Sequence, residues 1–65
     1  MNSELMSAEE FRAWREGLGL SQVEAAERLG ISLAAVSNYE KGHSPIRKVV
    51  RLATERISEA ERVGT

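Results

Sequence analysis

The chain has no cysteine and no aspartate, and only one histidine, one proline and one each of tryptophan, tyrosine and phenylalanine among its 65 residues. Each shortage removes a class of explanation. Without cysteine there is no disulfide staple, thiolate metal site or thiol nucleophile, and the composition fits a reducing compartment, so a cytoplasmic protein is expected. With His43 the sole imidazole and the glutamates spread along helix surfaces, no acid-base pair or metal cluster can be composed. No enzyme and no cofactor is therefore expected. No stretch approaches the roughly 18 apolar residues of a membrane span. Met1 to Met6 carries neither a basic region nor an apolar run, so no export signal and no membrane partner is expected. No small-molecule ligand is evident.

What is present is a division of charge. The net charge of −1 hides a balance of −4 from Met1 to Glu40, +4 from Lys41 to Thr54 with no acid at all, and −1 over the remainder. A basic strip bounded by acidic helices is an electrostatic footprint that suits a nucleic-acid partner, although such a strip also describes a solvated helix face. The length fits one domain over residues 1–65. A chain this short buries only about 60% of its unfolded surface, so help from a second subunit is expected.

The hydrophobic pattern predicts an all-α domain of four helices with short joints. Ser7 and Glu10 form a capping box that opens a first helix over about 7–17, in which Phe11, Trp14 and Leu18 share one face and Met6 stands where a hydrophobic staple belongs. Ser21 and Glu24 repeat the device for a helix over 21–29, ended by Gly30. Ile31 is an apolar plug, and Ser32 caps a third helix over 32–41 that Gly42 closes. Ser44-Pro45 predicts the start of a long C-terminal helix over 45–62 whose apolar stripe runs through Ile46, Val49, Val50, Ala53, Ile57 and Ala60. At about 17 residues it would span about 25 Å, longer than the preceding helices need. Its residues Val50, Ala53, Ile57 and Ala60 either close the monomer core or form the interface of a homodimer.

The informative segment is SQVEAAERLGISLAAVSNYEKG, Ser21 to Gly42. Small Ala26 lets two short helices cross closely, Gly30 permits the tight turn, and Ile31, Val36 and Tyr39 supply apolar contacts beneath them. Trp14 and Tyr39 fall on inward faces and read as core aromatics rather than stacking platforms for bases.

Leu18-Gly19-Leu20-Ser21-Gln22, Ala25-Ala26, Leu29-Gly30-Ile31-Ser32, Val36-Ser37 and Tyr39-Glu40-Lys41-Gly42 together closely resemble the Cro/repressor, or XRE-type, helix-turn-helix family. The resemblance covers about Phe11 to Arg51 and implies a compact lambda-repressor-like fold whose third helix enters the major groove of double-stranded DNA. It implies base contacts from Leu33, Ala34, Ser37 and Asn38. Asn38 is suited to adenine N6 and N7, and Leu33 and Ala34 to thymine methyls. Gln22 and Ser32, at helix starts, would anchor phosphates, and Lys41, His43, Arg47 and Lys48 would extend that anchoring. Arg15 and Glu40 occupy the positions of a structural ion pair in the family. The implied function is a transcriptional repressor or autorepressor binding a palindromic operator as a homodimer, similar to the compact regulators of phages and other mobile elements. The alternative is a protein-interaction module on the same scaffold, such as an antitoxin or adaptor.

Overall fold

The computed structural model describes residues 5–63, with side chains through residue 61. Of the Met1 to Met6 stretch, only Leu5 and Met6 therefore lie within the described residues. Helices α1 (Ala8–Gly17), α2 (Gln22–Leu29), α3 (Leu33–Lys41) and α4 (Lys48–Val63) follow one another along the chain, an all-α arrangement.

The starts of the first three helices are fixed by serine. Ser7 Oγ accepts from the Glu10 amide at 3.0 Å while the Ser7 amide donates to Glu10 Oε1 at 2.8 Å. Ser21 and Glu24 repeat this reciprocal pair at 3.1 and 2.8 Å. Ser32 Oγ accepts from the Ala35 amide at 3.1 Å. Each device satisfies amides that a helix leaves without an internal partner. The ends of α2 and α3 are set by Gly30 and Gly42, at φ 72° and 76°. This left-handed backbone lets the Ile31 amide reach Ala26 O at 3.0 Å and the His43 amide reach Asn38 O at 2.9 Å, closing both helices in the same way.

The core lies where α1, α2, α3 and the segment before α4 meet. Phe11, Val36 and Ile46 are its buried centre, with Ala26 admitting α2 close to α3 and Met6, Trp14, Leu29, Ile31, Tyr39 and Val50 packed around them. Phe11 meets Tyr39 edge-on at a centroid distance of 5.6 Å and Trp14 at 5.4 Å, geometries that aromatic quadrupoles favour.

The fourth helix departs from the sequence expectation. It begins at Lys48, not at Pro45, and Ile46 is not part of its stripe. Ile46, two residues before it, lies in an isolated antiparallel bridge with its carbonyl accepting from the Met6 amide at 3.0 Å. The reason is burial: Ile46 is only 2% exposed, and an extended backbone drops its side chain into the core while Met6 satisfies its carbonyl. Proline, with its fixed φ and missing N–H, suits that extended entry as well as it suits a helix start. The Arg47 carbonyl then receives the first amides of α4, Val50 at 3.0 Å and Arg51 at 3.1 Å.

Side-chain hydrogen bonds tie α4 to the rest. Trp14 Nε1 donates to the Thr54 carbonyl at 3.0 Å and to Ser58 Oγ at 2.8 Å. Thr54, buried, turns its hydroxyl to the Arg51 carbonyl at 2.7 Å. Arg28 of α2 pairs with Glu61 of α4.

Candidate nucleic-acid interface

The two ends of α3 have opposite environments. At its C-terminal end Glu40, with a side chain only 2% exposed, is a junction of three helices. Arg15 Nε donates to Glu40 Oε2 at 2.6 Å and Nη2 to Oε1 at 3.2 Å, while Nη1 donates to the Leu20 carbonyl at 2.8 Å. Gln22 Nε2 donates to Glu40 Oε1 at 3.2 Å, and Arg12 Nε reaches the same oxygen at 3.5 Å. Burial pushes the Glu40 carboxyl up, but hydrogen bonds from Arg15 and Gln22, the Arg15 charge and the Arg12 contact outweigh it and hold the group below its ordinary value. Arg15 is correspondingly held above its ordinary value, first by its hydrogen bond to Glu40. Such a carboxylate fixes the end of α3 against α1 and the start of α2.

At the N-terminal end the residues face outward. Leu33 is 47% exposed, Ala34 and Asn38 are exposed, Ser37 is half-buried, and Ala35 and Val36 turn inward. Neither Ser37 nor Asn38 has a side-chain hydrogen bond among the described residues, so both keep donors and acceptors for another molecule. Ser32 is exposed with its hydroxyl engaged in the α3 cap. Lys41, His43, Arg47 and Lys48 are all exposed, and none forms an ion pair among the described residues. They occupy the end of α3, the joint and the first residue of α4, a succession of cations next to the outward face of α3.

Gln22 is placed differently from a free phosphate anchor. One of its amide hydrogens is committed to Glu40 and the side chain is half-buried, which leaves one N–H and the carbonyl for outside contact. Sequence reasoning missed this link and the Arg12 contact. The available signal for Arg12 was its i−3 spacing from Arg15, which puts both on one face of α1.

The α4 stripe is also redistributed. Val50 packs on the core, Ala53 and Ile57 are half-buried, and Ala60 is exposed. The large apolar residues left in water are Val49, 74% exposed, and Leu52, 45% exposed.

The sequence profile of a family described as Helix-turn-helix matches residues 11–53. The chain belongs to the Cro/repressor, XRE-type helix-turn-helix family. No curated protein matches it significantly. The matched span runs from Phe11, at the centre of the core, to Ala53 in α4, and so takes in the whole Glu40 junction and all of α3. Membership makes the chain a DNA-binding transcription regulator of the XRE kind, with α2 and α3 as its helix-turn-helix. Among the described residues, no helix is long and apolar enough to cross a membrane.

Proposed function

We propose that this XRE-type regulator is a cytoplasmic repressor that lays α3 in the major groove of a palindromic operator as a homodimer. The observation that carries the proposal is the juxtaposition on one helix and its joint of an outward face, Leu33, Ala34, Ser37 and Asn38, without side-chain hydrogen bonds among the described residues, with the cations Lys41, Arg47 and Lys48, which form no ion pair among those residues, and the exposed His43. Asn38 and Ser37 contribute hydrogen bonds to base edges, while the cations, Ser32 and the remaining Gln22 N–H hold the phosphates. A two-fold axis places two such helices about 34 Å apart, one turn of DNA. The mode of action in this reading is steric, occupancy of a promoter against polymerase, including that of its own gene.

The dimer contact is assigned to α4. Val49 and Leu52, exposed beside Ala53 and with Ala60 farther along the helix, offer a narrow apolar seam; Ile57 borders it, and Val50 supports it from the core side. A monomer in sedimentation at micromolar concentration, with and without operator, rejects the homodimer.

Selection of bound duplexes from random DNA tests the whole reading, because it reports binding, symmetry and half-site spacing together. The three permanent cations predict a log-log salt slope of about −2.7 per protomer, reduced by about 0.9 in each of Lys41→Ala and Arg47→Ala. A second reading, a protein-interaction module such as an antitoxin, is favoured by the apolar exposure of Leu33 and of Val23, 47% and 51%. Tight binding to a protein partner with no DNA affinity at low salt decides for it.

A further inference from the structure

The polar inventory of the outward face of α3 is short, and the shortage has a direction. From Leu33 to Glu40 the helix carries no lysine or arginine. The fork that most often reads guanine, an arginine or lysine on O6 and N7, is therefore missing from the two turns that would meet bases. What stands at the tip is Leu33, left 47% exposed, and Ala34. Leu33 takes no part in the core, neither in its buried centre of Phe11, Ala26, Val36 and Ile46 nor among the hydrophobics packed around it. One turn later come Ser37 and Asn38. The cations follow the reading face rather than interrupt it, and from Lys41 to Thr54 there is no acid. An apolar tip with that border suits a polyanion that itself displays apolar groups.

We propose that the tip of α3 reads methyl groups: Leu33 and Ala34 seat the C5 methyls of thymine in an A·T-rich half-site, and Asn38 pairs with adenine one turn along. The proposal rests on the DNA-binding reading above and names the base chemistry it takes. Among the four bases only thymine presents a methyl in the major groove, and closing a leucine onto it removes both surfaces from water. Guanine-rich half-sites find no matching donor fork here. Cytosine methylated at C5 carries the same methyl on the same edge, so the tip favours 5-methylcytosine over unmodified cytosine by the same margin per methyl.

The test uses the full chain and a duplex that it selects from a randomised library, prepared once with thymine and once with uracil throughout. The two forms share phosphates and hydrogen-bonding edges and differ only in the methyl. The selected half-sites should be A·T-rich, and uracil should weaken binding about fourfold per contacted methyl. Leu33→Ala should lower the thymine-over-uracil ratio of the duplex about fourfold for each methyl that Leu33 contacts, with the denaturation midpoint unchanged, since the difference between the two ratios isolates that contact. Equal affinity for the two duplexes, G·C-rich selected half-sites, or the same ratio in native protein and Leu33→Ala overturns the methyl reading and leaves DNA binding standing. No enrichment of any duplex at low salt overturns the DNA-binding reading, and this one with it.

Discussion

The two ends of α3 differ in everything but secondary structure. At Glu40 every oxygen is engaged, by Arg15, Gln22 and Arg12, and the side chain is sealed from water. At Leu33 to Asn38 the outward side chains form no hydrogen bond or ion pair among the described residues. The difference separates two tasks that one helix must perform. Its last turn is held by α1 and α2, and in the proposed reading its first turns are left for DNA to satisfy. Under the proposed docking, a helix rigid at its root loses little orientational freedom on binding, which favours affinity.

That contrast can be broken most directly at its buried end. Glu40→Ala strands the Arg15 guanidinium, only 14% exposed, and should cost about 3–5 kcal/mol of unfolding free energy, read by urea denaturation. A loss near zero would mean that the junction does not hold α3. The same group sets a pH dependence. Its folded pKa lies below the ordinary value, so its contribution is fully present above about pH 5 and is lost as the pH falls through the folded pKa. Glu40→Gln should flatten the acid limb of the stability profile.

At the free end the pattern should invert. Asn38→Ala should leave the denaturation midpoint almost unmoved, within about 0.5 kcal/mol, yet weaken binding to a selected duplex by about 1–3 kcal/mol and relax preference at one base pair. Gly42→Ala puts a side chain at φ 76°, with no steric neighbour within 4 Å. It should cost about 1–2 kcal/mol of stability through backbone strain alone. The smallest effect is expected at Ser32→Ala, which removes the α3 cap for about 1 kcal/mol. It sharpens the comparison, because any extra loss in DNA affinity measured by titration then reports a phosphate contact.

What was legible in the sequence was local. Ser7 with Glu10 and Ser21 with Glu24 state a helix start in four residues, and Gly30 and Gly42 state a stop in one, since capping and left-handed backbone need no distant partner. The start of α4 was not local. Ser44-Pro45 is a sound helix opening by itself, and only the burial of Ile46 and its bridge to Met6, forty residues apart in sequence, explain why the helix waits until Lys48. The inward face of α4 was ambiguous for a related reason. Val49, Val50, Leu52, Ala53 and Ile57 form one apolar face of nearly half the circumference, so periodicity could not decide that Val50 packs inward while Val49 and Leu52 stay in water. Thr54 escaped notice because a hydroxyl that bonds its own helix carbonyl is as easily buried as valine. At the interface, the family pattern brought Arg15 and Glu40 to attention, whereas the Gln22 and Arg12 arms depend on the angle at which α1 and α2 converge.

The indole of Trp14 gives the molecule an internal optical gauge. It is the sole tryptophan, and its N–H is divided between two atoms of α4, the Thr54 carbonyl and Ser58 Oγ. Undocking of α4 would release that proton to solvent while the capped helices α1 to α3 remained wound. Fluorescence should then shift to the red before ellipticity falls, so the two signals, followed together, time the loosening of the last helix separately from the melting of the helix-turn-helix.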